Sequence, residues 1–149
     1  MNKSLVLTGM MGVGKTTIGR RLAKKLSYKF IDVDKLIENK EGSSINQIFK
    51  DKSENYFRQL EIKMSLQELK KSRSVISLGG GAFLNNSIRR TVKNLSTSFW
   101  LDVDVDLLIN RLKKANKRPL LFNKNLKETI NKIYLERKNI YNKADFDNK

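Results

Sequence analysis

The sequence predicts an α/β fold, a three-layer sandwich in which a central parallel sheet of about four strands is flanked by helices. Three observations carry that expectation. Short apolar runs alternate with stretches of three-to-four apolar spacing. The first run feeds directly into Gly9-Met-Met-Gly-Val-Gly-Lys-Thr-Thr17, a complete GxxxxGK[ST] loop. A later run ends in Gly79-Gly80-Gly81. With 149 residues, 39% of them hydrophobic, the chain suits one domain with one core.

Residues 4–8 read as a buried strand, and Ile18, Leu22 and Leu26 mark the helix that starts near Lys15. A second strand is expected over 28–32 and a helix over 34–41, closed by Gly42. Ser44-Ile-Asn-Gln47 has the pattern of a capping box and opens a short helix through Phe49. A long helix over 53–71 places Phe57, Leu60 and Met64 on one side and mostly charged residues on the other, which suits a partly solvated element. The third strand is expected at 74–78, a helix near 86–92 and the fourth strand at 98–101. Helices follow at 104–115 and 126–142, separated by a polar segment that holds the only proline.

Composition excludes several chemistries. Without cysteine or histidine there are no disulfides, thiolate metal sites or imidazole bases, so any metal is an oxygen-ligated ion such as Mg²⁺. No run approaches a membrane span, and a cytoplasmic protein is expected. The formal charge of +16 would draw polyanions, but the lysines are scattered over every expected helix and no aromatic-basic platform stands out. Specific nucleic-acid binding is therefore not expected, and part of the charge suits anionic small-molecule ligands.

On open parallel sheets ligands sit beyond the carboxyl ends of the strands, so three strand ends should converge on one cleft. In the first, glycines let backbone N–H groups surround phosphate oxygens, Lys15 reaches the β- and γ-phosphates, and Thr16 can take a place on Mg²⁺. The second is Asp32-Val-Asp34. Residues two apart in an extended segment point the same way, so one carboxylate can hold Mg²⁺ through water while the other orients or deprotonates a hydroxyl; alternatively, one simply caps the next helix. The third is the triple glycine, where missing side chains admit close approach to the backbone. Arg58 and Arg137 are candidates for a two-pronged hold on a carboxylate, and Arg118 for a lid cation over a transferring phosphate; taken alone, each also fits a solvated arginine.

These motifs, together with Phe30-Ile-Asp-Val-Asp34, Ser44-Ile-Asn-Gln-Ile-Phe49, Phe57-Arg-Gln-Leu-Glu61, Lys117-Arg-Pro-Leu-Leu121 and Glu136-Arg137 with Tyr141, run in the order and spacing of one family. The chain resembles the shikimate kinases, phosphate-loop enzymes related to nucleoside monophosphate kinases, over nearly its whole length. The resemblance implies ATP phosphates on Gly12, Val13, Gly14, Lys15, Thr16 and Thr17, and Mg²⁺ on Thr16 with Asp32 behind a water. It further implies an adenine-side role for Arg111 and a lid over about 113–125 carrying Arg118. Shikimate would meet Asp34, Arg58, Gly79, Gly80, Gly81 and Arg137, within a substrate-binding region of about 33–61. The implied catalytic residues are Lys15, Asp34 and Arg118, and the implied reaction moves the ATP γ-phosphoryl group to the shikimate 3-hydroxyl in a monomer.

Family members usually continue beyond Ala144-Asp145 into a fifth strand, an adenine-contacting loop and a closing helix. The chain ends at Lys149, so the expectation is a fourth strand left as an edge and a reduced base pocket. Two other functions remain open: another small-metabolite kinase such as a gluconate kinase, which would need neither the triple glycine nor Phe-Arg-Gln-Leu-Glu, and a catalytically silent nucleotide binder.

Overall fold

The computed structural model describes residues 3–115 and 126–148. Four strands, β1 (Ser4–Thr8), β2 (Lys29–Asp32), β3 (Ser74–Ser77) and β4 (Ser96–Trp100), run parallel in the order β2-β3-β1-β4. Helix α1 (Lys15–Leu26) connects β1 to β2. Helices α2 (Val33–Glu41), α3 (Ile45–Asp51) and α4 (Glu54–Leu69) lead to β3, and α5 (Asn86–Leu95) leads to β4. Helices α6 (Val105–Ala115) and α7 (Leu126–Tyr141) follow. Right-handed crossovers that run in opposite directions along the sheet put α1 on one face and α4 and α5 on the other.

Val6, Val75, Ile76 and Ile88 are fully buried between the layers, and each such aliphatic side chain contributes roughly 1.5–3 kcal/mol by leaving water. At Gly19 an added methyl group would sit 2.5 Å from the Phe30 ring, so α1 lies tight against β2. Local signals set the helix starts: Ser44 accepts from the Gln47 N–H, Ser53 from Tyr56 and Asn85 from Ile88.

The structure corrects three local expectations. A fifth strand, β5 (Phe146–Asp147), pairs in parallel with Phe99 and Trp100 of β4, and the Phe99 and Phe146 rings stack at 5.4 Å. The upper half of β4 is therefore covered rather than left as an edge. β4 also begins two residues early, at Ser96, because small polar residues bury readily at strand starts: Ser96 bonds to the Val92 carbonyl and pairs with Ser4. Asp34 lies in the first turn of α2 rather than in an extended run, while Asp32 caps that helix through the Lys35 N–H. Helix α4 is partly solvated as expected, with Glu61 and Glu68 buried alongside Phe57 and Leu60. Among the described residues, no helix is long and apolar enough to cross a membrane.

Candidate active site

The carboxyl ends of β1, β2 and β3 open into two joined cavities. The larger, about 650 Å³, is lined by Gly12, Gly14, Lys15, Thr16, Thr17 and Arg111. The smaller, about 170 Å³, is lined by Arg58, Glu61, Arg137 and the three glycines, with Phe49, Phe57 and Ile133 as apolar wall. Asp34, Met11, Ile45, Asn46 and Gly80 border both, so Asp34 stands where the two meet.

In the larger cavity Gly14 ends the loop at φ 100°, a left-handed conformation that hands the chain into α1 with its N-terminal N–H groups facing the cavity. Lys15 Nζ donates to the carbonyls of Gly9 at 2.7 Å and Met10 at 3.1 Å, so the ammonium lies along the rising arm of its own loop. Thr16 Oγ1 donates to Asp32 Oδ2 at 3.2 Å, bringing two hard oxygens together at the cavity floor. Arg111 on α6 reaches the Gly12 carbonyl at 3.2 Å. Val13 is buried in the core and does not line the cavity. Arg118 and most of the expected lid lie outside the described residues.

The smaller cavity is built by helix spacing. Arg58 and Glu61 are one turn apart on α4, and Arg58 Nη1 donates to Glu61 Oε1 at 2.8 Å. Glu54, one turn earlier, lies 3.6 Å from Arg58 Nε, and the guanidinium covers the Phe57 ring at 5.3 Å. Burial raises the Glu61 carboxyl above the ordinary value; Arg58 opposes the shift, the nearby Asp34 adds to it, and Arg137 opposes it.

The triple glycine makes room chiefly for the site's own side chains. A methyl group at Gly79 would meet Asp34 Oδ1 at 2.7 Å, one at Gly80 would meet Arg137 Nη1 at 3.3 Å, and one at Gly81 would meet Arg58 Nη1 at 2.6 Å. Any larger residue would displace a charged group that borders the small cavity. Tyr141, one turn beyond Arg137 on α7 and fully buried, donates its hydroxyl to the Gly80 carbonyl at 2.5 Å and packs its ring near Trp100. Burial raises the Tyr141 pKa, with Arg137 opposing, so the hydroxyl keeps the proton it donates.

Every sequence-predicted site residue within the described region except Val13 lines one cavity or both. Sequence reasoning singled out neither Glu61 nor Tyr141 as a site residue. A glutamate at i+3 from an arginine and i+4 from Phe57, on the side of the helix that carries Leu60, signals the first, and an aromatic at i+4 from Arg137 signals the second.

A family model described as shikimate kinase matches residues 11–148. A shikimate kinase from Sulfurihydrogenibium is 43% identical over 143 residues, spanning 96% of this chain and 85% of that protein. A solved shikimate kinase from Acinetobacter baumannii, in complex with shikimate, superposes with a TM-score of 0.95 at 31% identity, covering 100% of this chain and 84% of that one. A gluconokinase from Sinorhizobium meliloti, at a TM-score of 0.52 and 17% identity, covers 89% of this chain and 74% of its own; it shares the fold alone.

Proposed function

The chain belongs to the shikimate kinase family, and we propose from that premise how its own residues move the γ-phosphoryl group of ATP to the 3-hydroxyl of shikimate. The observation that carries the reading is the pair of joined cavities, one shaped for a triphosphate and the other lined by two guanidinium groups, with a carboxylate at their junction.

ATP phosphates lie on the loop N–H groups of Gly12 to Thr17, with Lys15 swinging from the Gly9 and Met10 carbonyls to the β- and γ-oxygens. The hard-oxygen pair Thr16 and Asp32 fits Mg²⁺, Thr16 as a direct ligand and Asp32 through water. When bound, that ion neutralises charge on the phosphate oxygens. Arg58 and Arg137 grip the shikimate carboxylate, the apolar wall of Phe49, Phe57 and Ile133 packs the ring, and Asp34 accepts the proton of the 3-hydroxyl as its oxygen attacks phosphorus. The P–O bond to ADP breaks as the new P–O bond forms. Arg118, on a lid over about 113–125, adds positive charge over the transferring group, and closure keeps water from competing as acceptor.

The test is ADP release by the purified chain with ATP and Mg²⁺, comparing shikimate, gluconate and no acceptor. Release that depends on shikimate supports the reading; preference for gluconate, or ATP binding with no acceptor-dependent release, overturns it.

Two predictions arise from the smaller cavity. Glu61→Gln should raise the shikimate KM about tenfold by loosening Arg58, with the ATP KM within about twofold. The sign of its stability effect follows from the raised pKa. The folded form binds the Glu61 proton more tightly than the unfolded chain does, so the stability contributed by that proton is full in acid and is lost as pH rises through the folded pKa. Thermal melting of Glu61→Gln should therefore gain on the wild type as pH rises from acid to neutral. A variant that instead loses ground to the wild type over that range would refute the burial argument.

Tyr141→Phe leaves the Gly80 carbonyl without its donor, costing about 1–2 kcal/mol of stability. It should also raise the shikimate KM several-fold while leaving the ATP KM unchanged. A lower melting temperature with an unchanged shikimate KM would reduce Tyr141 to a purely structural role.

A further inference from the structure

The end of the sheet remote from the active site carries a second charged feature. The parallel strands start at one level there: Ser4 pairs with Ser96, and Lys29 with Ser74. Helices α1, α4 and α5 finish at the same end, and the connections are stitched together. Lys29 N donates to the Arg73 carbonyl at 3.1 Å, and Ser4 Oγ donates to the Lys71 carbonyl at 3.0 Å while accepting from Ser74 N. Ser27 N, at the α1 terminus, donates to the Lys24 carbonyl. The result gathers Lys24, Lys25, Lys29, Lys70, Lys71 and Arg73, all exposed, on one face. Among the described residues of these connections the carboxylate is Glu68, which is buried and held by Lys71 at 2.9 Å. Asp32, Asp34, Asp102, Asp104 and Asp106 lie at the opposite end, after the strands. The cavities at that end also hold Lys15, Lys35, Arg58, Arg111 and Arg137, so cations there stand among carboxylates, whereas those at the strand starts are accompanied by Glu68.

Two details go beyond helix termini attracting cations. Lys29 and Arg73 stand at strand starts, where no helix dipole favours a positive side chain. Arg73 also holds φ 55°, a left-handed conformation that glycine or asparagine adopts at lower cost. A plain turn would be better served by glycine. What the arginine adds is a guanidinium set 5.5 Å from the Tyr28 ring centroid, a planar cation braced by an aromatic at the centre of the basic face.

We propose that this face binds single-stranded RNA without sequence preference, phosphates meeting the lysines and a base stacking on the Arg73 guanidinium. An anionic membrane fits less well. The exposed leucines at this end, Leu26 and Leu95, belong to helices on opposite faces of the sheet and make no continuous apolar patch to insert.

The experiment measures fluorescence anisotropy of a labelled oligouridine, with ATP and Mg²⁺ present to occupy the phosphate loop. Binding that engages about four phosphates should weaken about fifty-fold between about 50 and about 200 mM salt. Arg73→Gly should weaken binding about tenfold, keep shikimate-dependent turnover unchanged, and hold or raise the melting temperature because the left-handed turn is relaxed. Lys29→Glu with Lys70→Glu should weaken binding more, whereas the charge-matched Lys40→Glu with Lys63→Glu should have little effect. Equal loss in both double variants means diffuse charge attraction and overturns the proposal. So does retention of binding in Arg73→Gly, or capture by phosphatidylserine vesicles without capture of the RNA.

Discussion

Replacing Lys15 by alanine is expected to lower the turnover of shikimate-dependent ADP release by at least about a thousandfold while leaving the fold intact. Phosphoryl transfer asks little covalent chemistry of the protein, so its rate depends on charge and position at the moving group. In the proposed mechanism Lys15 supplies both. It is half-buried at the first turn of α1, and its ammonium already sits beside the phosphate-facing loop, held by the Gly9 and Met10 carbonyls. No other described lysine reaches that end of the larger cavity except Lys35, which comes from the start of α2. Val6 and Leu7 of β1 and the loop's own Val13 are buried in the core and do not depend on the ammonium, so the melting temperature should change little. Single-turnover phosphoryl transfer and ATP binding should be measured together. A loss confined to ATP affinity would assign Lys15 to ground-state binding; near-normal turnover at saturating ATP would remove it from catalysis.

Much of this site could be read from the sequence because a few residue types have very restricted uses. The phosphate loop needs glycine where backbone N–H groups turn inward, and the adjoining strand and helix follow from apolar spacing. Asp32, Asp34 and the triple glycine were legible because strand ends in a parallel sheet converge. The residues that escaped act through another side chain. Glu61 looks like one more charged position on a charged helix until the fold buries it against Arg58, and Tyr141 looks like a core aromatic until its hydroxyl meets the Gly80 carbonyl. The triple glycine, expected to admit a ligand, does line the smaller cavity, and its missing side chains also accommodate Asp34, Arg137 and Arg58. That second use depends on contacts between residues far apart in the chain.

The strand errors have a similar origin. β4 opens on Ser-Thr-Ser, which reads as loop, yet its register against β1 puts Ser96 opposite Ser4 and closes both with side-chain hydrogen bonds. β5 has two residues, too few for any periodicity, and is held in place by Asp145 accepting from Ser98 N at 2.9 Å and by the stacked phenylalanines. Tertiary partners, not local preference, determine both.

Arg58→Lys is expected to raise the shikimate KM by roughly thirtyfold while the ATP KM stays within about twofold, although formal charge is conserved. The reason is geometric. Arg58 turns one N–H toward Glu61, lies over the Phe57 ring and faces Gly81 at a distance no side chain there would permit. The planar fork is thereby fixed before any ligand arrives, with N–H groups left to pair with a carboxylate in two-pronged geometry. A lysine ammonium at the same position has one nitrogen. It would satisfy Glu61, whose buried carboxylate needs a cation, and leave the ligand carboxylate to Arg137 alone. The double variant Arg58→Lys with Glu61→Gln separates these demands. If competition between Glu61 and shikimate for one ammonium causes the loss, removing the carboxylate restores part of the affinity; if the lost fork geometry dominates, the double variant binds no better than Arg58→Lys. Equal effects of Arg58→Lys on ATP and shikimate would show that α4 does not hold the acceptor carboxylate at all.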